Sequence, residues 1–490
     1  MKRRALVGLG LVLLVATEAF ARPGGGDSFS GGGGHGGGGG GGGDGGAIFE
    51  LVYWILRLIF EVPQLGLPVL AIVIGWVVYS AYKQQKNKDW DSGPPVQLKR
   101  AVSLEPLRRV DPDFSQVLFE DFAFRLFSTA QRARHSVDEL ALVGPYVSGR
   151  ARLALVQRLP GQRVKSVVVG ALRTVRVDIP QTGNITLEPP MVRISLEYEA
   201  NVTTDQHTYY TVETWTFARD ATTHSKPPSK ARTFPCPNCG APWGTAELGT
   251  QKCASCGEIV DNGRFDWIVE DIDLASSDQR PPTLTGDTEE RGTDLDTYRQ
   301  AGIDAHWKAL EADDPSLTEQ NLVARVAMIF HRLNTAWSNN DLRPVRGLVS
   351  DGLYDYLAYW VEAYKSQKLR NQLSEVTISH TLVAKIIRDR WYDALTIRIW
   401  ASGFDYVLNT DTGRVVRGSK MKRRAYSEYW TLIRSRSRKG APIDKPNCSN
   451  CGAPLRINMA GECEHCNAHI SAGEFDWVLS KIEQDDTYRG

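Results

Sequence analysis

The sequence has little net charge and few cysteines, and each shortage excludes a class of protein. Its 58 lysines and arginines are balanced by 57 acidic residues, so a strongly basic nucleic-acid-binding protein is not favoured. Eight cysteines in 490 residues are too few for a disulfide scaffold. Hydrophobic residues make up 42% and charged residues 23%, which excludes a chain that is disordered throughout. At about three times the usual domain length, the chain is expected to hold several domains.

The N-terminus has the layout of a secretory signal peptide over residues 1–21. Three basic residues, Lys2 to Arg4, precede an apolar stretch, and Ala19-Phe20-Ala21 provides a cleavage signal. An uncleaved membrane anchor is the alternative. The glycine excess of the chain is concentrated just after this segment, so residues 22–46 are predicted to be a Gly-rich disordered segment that cannot bury a core.

A second apolar region predicts a transmembrane helix over residues 64–82. No charged residue occurs between Leu65 and Tyr82, which is near the minimum length for crossing a bilayer. The region is followed at once by basic residues, which favours a cytoplasmic location for what comes next; they are Lys83, Lys86 and Lys88. Residues 83–110 are therefore predicted to be a basic linker, and the large C-terminal part of the chain to lie in the cytoplasm.

Residues 47–62 are also apolar but carry three charged residues. Glu50, Arg57 and Glu61 fall on one helical face, which favours an amphipathic helix packed or lying at the interface over a second membrane span. A second span here would reverse the predicted orientation of the C-terminal part.

From residue 111 onward the chain contains an internal duplication. Four motifs occur twice in the same order, at offsets from 203 (Asp111 to Asp314) to 215 (Glu213 to Glu428). The paired motifs are Asp111-Pro112-Asp113 with Asp314-Pro315-Ser316, Glu213-Thr214-Trp215 with Glu428-Tyr429-Trp430, Cys236-Pro237-Asn238-Cys239 with Cys448-Ser449-Asn450-Cys451, and Phe265-Asp266-Trp267 with Phe475-Asp476-Trp477. The last pair predicts that Trp267 and Trp477 pack on their own copies.

Each copy is predicted to be α+β, with helices first, then an antiparallel sheet, then cysteines. Buried helical faces are indicated by the spacing of Phe114, Leu118, Phe122 and Leu126 in copy one, and of Leu322, Val326, Ile329, Leu333 and Trp337 in copy two. A further helix is predicted from about Ser350 to Lys368. Alternation over residues 192–199 and 395–400 predicts half-buried strands. The predicted boundaries are 111–232 for copy one, 276–313 for a linker that includes at most a short helix, and 314–440 for copy two.

All eight cysteines fall in two sets of four that predict zinc ribbons at residues 233–275 and 441–485. The spacings are C-x2-C-x13-C-x2-C and C-x2-C-x11-C-x2-C, formed by Cys236, Cys239, Cys253 and Cys256 and by Cys448, Cys451, Cys463 and Cys466. Two thiolates three residues apart can bind one ion, and a second such turn completes a tetrahedron. Zinc is favoured over iron, and disulfides are disfavoured by the cytoplasmic topology. Four thiolates leave no open position, so both zinc ions are predicted to be structural. His465 is a weaker ligand candidate.

Copy two also carries the segment Ala336-Trp337-Ser338-Asn339-Asn340-Asp341-Leu342-Arg343-Pro344-Val345-Arg346, followed by Leu348-Val349-Ser350-Asp351-Gly352-Leu353-Tyr354. This segment resembles the C-terminal domain of the mitochondrial translocase of inner membrane subunit 44 and its bacterial relatives. Asp341 and Ser350 are predicted helix N-caps, with Trp337 and Leu353 in the core. Copy one departs from the pattern, with His135-Ser136-Val137-Asp138 at the corresponding place. The resemblance implies a cone-shaped domain with helices against a curved sheet, and a role as a membrane-associated scaffold, here in a bacterial inner membrane.

The function predicted from these features is a membrane-anchored, non-catalytic scaffold or binding protein that assists protein transport or membrane-complex assembly. The expected partners are membrane lipid and unidentified membrane or transport proteins, with no nucleic acid. Anionic lipid contact is assigned to Lys83, Lys86, Lys88, Lys422, Arg423 and Arg424, although a solvated basic face fits these residues equally well. The alternative is an enzyme or small-ligand binder that uses the cone-shaped pocket; Asp355, Tyr356, Tyr392 and Asp405 are available, but no spacing selects a pair.

Overall fold

A computed structural model describes residues 102–158, 161–180, 189–227, 234–244, 249–279, 295–441, 447–448, 450–458 and 461–485, with isolated residues elsewhere. Apart from such isolated residues, the predicted signal peptide, Gly-rich segment, amphipathic helix and transmembrane helix lie outside these ranges, as does the basic linker up to residue 101. Those assignments stay predictions. Within the described ranges, no helix combines the length and the apolar character needed to cross a bilayer.

Copy one consists of helices followed by a four-stranded antiparallel sheet. A 3₁₀ turn, Glu105–Arg109, leads into helix α1, and Ser115 caps that helix by accepting a hydrogen bond from the amide of Leu118. The helices are α1 (Gln116–Ala133), α2 (Val137–Leu140) and α3 (Gly149–Val156), with a 3₁₀ turn at Ala141–Tyr146. The strands lie in the order β1 (Val164–Asp178), β2 (Met191–Thr204), β3 (Thr208–Asp220) and β4 (Ile268–Gln279).

Copy two repeats this arrangement and adds one short strand. Its helices are α4 (Ile303–Asp313), α5 (Glu319–Ser338) and α6 (Asp351–Ser366), with a 3₁₀ turn at Arg343–Val345. The sheet order is β5 (Leu369–Arg388), β6 (Tyr392–Asn409), β8 (Arg424–Ser435) and β9 (Val478–Gln484), and β7 (Val415–Gly418) pairs with the far end of β6. The protein is therefore a mixed α and β chain with two antiparallel sheets and two four-cysteine clusters.

The cysteine segments interrupt the sheets, whereas the sequence analysis placed them after the two domains. The first segment lies between β3 and β4, and the second lies between β8 and β9. Each domain therefore continues past the predicted ends at residues 232 and 440, because the chain returns from the cysteines to add the fourth strand. We call residues 234–267 and 447–477 the first and second cysteine modules.

Both tryptophans that follow the modules are buried, as predicted. Trp267 is 5% exposed and Trp477 is fully buried, and each directly precedes the fourth strand of its sheet. The guanidinium of Arg219 lies 4.4 Å from the Trp267 ring, and that of Arg434 lies 4.5 Å from the Trp477 ring. The return point of the chain is thus fixed by an aromatic side chain packed in the core of its own copy.

Aromatic side chains fill the interior between helices and sheet in both copies. In copy one, Phe127 stacks on Tyr198 at 4.2 Å, beside the buried Trp215. In copy two, the fully buried aromatic residues include Trp337, Trp360, Tyr364 and Trp430.

Two predictions about buried faces differ from the structure. The buried stripe of α1 is formed by Phe119, Ala123, Leu126 and Phe127, while Leu118 and Phe122 are only half-buried. Strand β2 is buried on both faces, because its polar side chains are paired and the hydroxyl of Tyr359 on α6 is hydrogen-bonded to Asn201 and Thr203.

The two predicted N-caps of copy two have different roles. Ser350 caps α6 by accepting from the amide of Leu353 at 3.4 Å, as predicted. Asp341 begins no α-helix; its carboxylate accepts from the amide of Arg343, at the start of a 3₁₀ turn. Trp337 and Leu353 are buried in the core, as predicted.

Contacts join the two copies. Val117 of α1 packs against Ala394, Ile433 and Val478 of the second sheet. The polar bonds that cross include Ser115 Oγ to Asp389 Oδ2 (2.7 Å), Arg390 Nη1 to Asp113 Oδ1 (2.6 Å), and Lys481 Nζ to Glu120 Oε2 (2.6 Å). Burial alone would raise the pKa of Glu120, but Lys481 lowers that pKa overall.

Candidate metal centres and basic hairpin

Each set of four cysteines brings its sulfur atoms together, and each set lies within 4.8 Å. The Sγ atoms of Cys236 and Cys256 are 3.9 Å apart, and those of Cys239 and Cys253 are 3.8 Å apart. The corresponding distances in the second module are 3.8 and 4.0 Å. Four sulfur atoms about 2.3 Å from one tetrahedral ion are separated by about 3.8 Å. The geometry of both sets therefore fits a single four-coordinate metal ion.

The same distances exclude disulfides. A disulfide joins sulfur atoms at about 2.05 Å, and all eight cysteines, which the structure describes in full, are free thiols. Each pair of cysteines lies on a tight turn whose closing residue has a left-handed backbone. Gly240, Gly257 and Gly452 occupy three of these positions, and Asn467 occupies the fourth with φ 56°. Asparagine tolerates this conformation better than other residues that carry a side chain.

Hydrogen bonds lower the pKa of one thiol in each cluster, which favours the thiolate form that binds a metal ion. Backbone amides of Cys256 and Ser255 lower the pKa of Cys253 to about 6, whereas burial raises the pKa of Cys236 to about 12. In the second module, a hydrogen bond from the Asn450 side chain, 3.3 Å from the sulfur, lowers the pKa of Cys466 to about 6. Four adjacent thiols cannot all ionise unless a cation offsets their charge, and a bound metal ion supplies that charge.

The coordination set is closed. Across the described part of the chain, both clusters consist of cysteines alone, and His465 is exposed and belongs to neither. An ion held by four thiolates keeps no position for water or substrate, so its role is structural. The clusters are suited to holding the cysteine modules folded, since modules of this size have little core of their own.

The first module is held by a buried arginine. Arg152 of α3 is 3% exposed, and its guanidinium donates to the carbonyl oxygens of Val147 (2.5 Å) and Gly249 (2.7 Å). It also lies 3.3 Å from the carboxylate of Asp261 in the module. A glycine lies at this contact, where a Cβ on Gly144 would meet the side-chain oxygen of Gln251 in the module at 2.6 Å.

The second module is held by a carboxylate at the N-terminus of α6. Asp351 accepts from Ser471 Oγ (2.6 Å) and lies 3.1 Å from His469 Nε2, both in the module, and 2.6 Å from the guanidinium of Arg346. Burial alone would raise the pKa of Asp351, but these three partners hold it below its usual value. As in copy one, a glycine lies under the module, since a Cβ at Gly347 would meet Ile457 at 2.5 Å.

A basic hairpin distinguishes the sheet of copy two. In copy one, β2 and β3 are joined tightly, and Val202 pairs with Tyr209. In copy two, the equivalent pair is Gly403 and Arg424, and twenty residues separate them instead of six. We call residues 410–423 the basic hairpin. Its turn lies at residues 410–413, and β7 then runs along the same side of β6 as β8. Residues 419–423, which include Lys420, Met421, Lys422 and Arg423, form an exposed bulge between β7 and β8.

Residues 304–444 match the Tim44-like domain. This family match confirms the resemblance in copy two. No curated protein matches the chain. The Tim44-like segment begins within α4 and ends before Cys448, so the second cysteine module and β9, which completes the sheet, lie outside it.

The lipid-contact candidates divide into three groups. Lys83, Lys86 and Lys88 lie outside the described residues. Lys422 and Arg423 are exposed in the bulge of the basic hairpin, within the Tim44-like segment, and Arg424 is half-buried at the start of β8. Basic residues at the end of β8 and just after it bond within the protein: Arg434 pairs with Asp314, Lys439 with Asp313, and Arg438 donates to the carbonyl of Phe475.

The structure does not bring the acid–base candidates together. Tyr392 and Asp405 lie on β6, thirteen residues apart, which is about 40 Å along a strand. Asp405 accepts from Asn371 Nδ2 at 2.7 Å, and Asn371 in turn accepts from the indole of Trp337. Asp355 and Tyr356 are on α6. Sequence reasoning missed the residues that hold the modules, Arg152 and Asp351, because single charged residues on helices carry no local signal.

Proposed function

We propose that this protein is a membrane-anchored, non-catalytic scaffold with its two domains in the cytoplasm, assisting protein transport or membrane-complex assembly. The match of residues 304–444 to the Tim44-like domain carries the proposal, since that family match suggests a membrane-associated role in protein transport. The contacts between the two copies support it, because they present two domains to partners as one unit.

The proposed metal is zinc, with one structural ion in each four-cysteine cluster. Zinc favours four thiolates in a tetrahedron, and the sulfur separations of 3.8 to 4.0 Å agree with its bond length. Reduced thiols also agree with a cytoplasmic location, where disulfides are rare. The residues that would hold the ions are Cys236, Cys239, Cys253, Cys256, Cys448, Cys451, Cys463 and Cys466.

Anionic lipid is one proposed partner, and membrane or transport proteins are the others. The basic hairpin offers exposed cations at Lys422 and Arg423, and the sequence adds Lys83, Lys86 and Lys88 beside the predicted span. The alternative of a small-ligand pocket has less support, because Trp337, Trp360 and Trp430 fill the interior of copy two.

The anchoring and orientation can be tested on the full chain in bacterial cells. A C-terminal tag should sediment with inner membranes and resist extraction at alkaline pH, because a transmembrane helix stays in the bilayer. Protease added to spheroplasts should spare the tag until the membrane is permeabilised. Digestion in intact spheroplasts would contradict the orientation, and recovery in the soluble fraction would contradict the anchor. Affinity capture from detergent-solubilised membranes should then return transport or membrane-assembly proteins.

A further inference from the structure

The bulge of residues 419–423 in the basic hairpin carries an apolar side chain that is almost fully exposed. Met421 is 92% exposed, and Val415 and Val416 on β7 are 39% and 50% exposed. Lys420 and Lys422 flank the methionine on both sides and are exposed as well. An exposed apolar side chain between two cations suits an anionic bilayer, because the lipid phosphates lie above the hydrocarbon. The cations can meet the phosphates while the apolar side chain reaches the layer below.

Hydrogen bonds order the backbone of the bulge at residues 419–423. Ser419 Oγ accepts from the backbone amides of Met421 and Lys422, both at 3.1 Å, which closes the turn. Arg423 donates to the carbonyl oxygen of Glu375 at 2.8 Å, which ties the hairpin to β5. The Met421 side chain therefore projects from an ordered backbone, and little conformational freedom remains to be lost when it enters another phase.

The positive charge of this segment favours an anionic ligand. From Phe404 to Arg424 the chain has six cations and two acids, giving a net charge of +4; the cations are Arg414, Arg417, Lys420, Lys422, Arg423 and Arg424. Of the two acids, Asp411 pairs with Lys368, and Asp405 is buried against Asn371. The equivalent turn of copy one, residues 203–208, has one acid and no lysine or arginine. A nucleic acid is a poorer fit for base stacking, because the neighbouring rings of Tyr406 and Phe404 are already covered by Lys420 at 5.3 Å and Arg423 at 5.2 Å, and residues 419–423 add no ring of their own.

We propose that the basic hairpin inserts Met421 into the interface of an anionic bilayer while Lys420 and Lys422 bind the lipid phosphates. This inference rests on the proposed membrane-associated function and assigns the lipid contact to one hairpin of copy two. Copy one lacks the contact because its strands are joined by a short turn.

The insertion can be observed at the methionine methyl group. The full chain has five methionines, so labelling with ¹³C-methyl methionine gives few signals, and Met421→Leu assigns the one of interest. The protein is placed in nanodiscs of phosphatidylglycerol that contain a lipid spin-labelled near the glycerol end of the acyl chain. We expect the Met421 signal to broaden severely, while the half-buried Met191 and Met328 stay sharp. In phosphatidylcholine nanodiscs, the broadening should fall several-fold.

Two variants test the charge. Lys420→Gln with Lys422→Gln should reduce the broadening in phosphatidylglycerol, and so should 0.5 M salt, because both weaken the attraction to phosphate. Lys165→Gln with Lys308→Gln removes the same charge from exposed positions elsewhere and should leave the signal broadened. A sharp Met421 signal in phosphatidylglycerol nanodiscs would overturn the proposal. The proposal would also be overturned if the Met421 signal changed only when an acidic protein captured from membranes was added, and not in the nanodiscs.

This outcome is separable from that of the proposed function. If the tagged chain sediments with membranes while Met421 stays sharp, the anchor holds and the hairpin insertion is wrong. If the chain is soluble in cells, the scaffold proposal fails whatever the methionine signal shows in nanodiscs.

Discussion

Copy one holds its cysteine module with an arginine, and copy two holds its module with an aspartate. The backbone arrangement under both modules is the same: Val147 forms a parallel bridge with Val269, and Val349 forms one with Leu479. The side chains differ, because Arg152 reaches carbonyl oxygens and Asp261, whereas Asp351 receives Ser471 and His469. The comparison teaches that backbone pairing sets the position of a module, and that either sign of charge can hold it there.

A buried ion pair recurs in both copies with little change. Asp111 lies 2.6 Å from Arg219 in copy one, and Asp314 lies 2.9 Å from Arg434 in copy two. Each arginine stacks on the tryptophan that returns from the module. The segment that leaves the module is thus attached to the first residues of its domain in the same way in both copies. The residues that hold the module itself differ between the copies; they are Arg152 on α3 and Asp351 on α6, and we call them the charged clasps.

The largest expected effect comes from the cysteines. Cys253→Ser and Cys463→Ser should each remove one metal ion and unfold one module, because the apparent binding free energy of a structural zinc ion is about 10 to 16 kcal/mol. Elemental analysis should fall from about two zinc ions per chain to about one for either variant. Loss of both ions from a single substitution would show that the two modules fold together. That result would contradict the separate attachment of each module to its own copy.

Alanine at the two return tryptophans should have the next largest effect. Trp267→Ala and Trp477→Ala each leave a large cavity and should lower the free energy of unfolding of their own copy by about 3 to 5 kcal/mol. Urea denaturation followed by near-ultraviolet circular dichroism measures the loss. If Trp267→Ala destabilised copy two as much as copy one, the copies would unfold as one unit.

The charged clasps give a smaller effect and separate the modules. Arg152→Met should loosen the first module, and Asp351→Asn the second, each by about 1 to 3 kcal/mol, since buried partners lose their hydrogen bonds. Hydrogen exchange of the module amides reports which module opens. Faster exchange in both modules after either substitution would contradict independent attachment.

Acid should remove the second clasp from the native protein. The pKa of Asp351 is lowered by folding, so its contribution is complete above the unfolded value of about 3.9 and is lost as pH falls through the lower folded value. The stability difference between the wild type and Asp351→Asn should therefore be constant near pH 5 and narrow below about pH 4. A difference that persisted unchanged at pH 2 would show that the charge of Asp351 does not matter.

The smallest effect on stability is expected at the basic hairpin. Met421→Ser, or Lys420→Gln with Lys422→Gln, should change the free energy of unfolding by less than about 0.5 kcal/mol, because these side chains are exposed. Thermal unfolding provides the measurement. If the free energy of unfolding fell by several kcal/mol, residues 419–423 would be needed to support the sheet, and their assignment as a contact site would be weakened.

The sequence by itself determined the features that depend on neighbouring residues. The Cys-x2-Cys pairs predict turns that present two thiols, and the duplicated motifs predict two similar domains, each with its own cluster. The cap at Ser350 could also be predicted, because a serine oxygen reaches the amide three residues later within one turn of chain. In these cases the physical cause lies within a few residues of its effect.

Only the tertiary structure decided where distant segments meet. The modules lie within the sheets because β4 and β9 pair with strands that precede the cysteines, and this pairing has no local signal. The same applies to Arg434, which stands in an arginine-rich stretch of the sequence but is buried against Asp314, 120 residues earlier in the chain. It also separates Lys422, exposed on the basic hairpin, from Lys439, which is paired with Asp313. A lysine or arginine is equally basic in any sequence, and its surroundings after folding decide whether its charge holds the protein together or faces a partner.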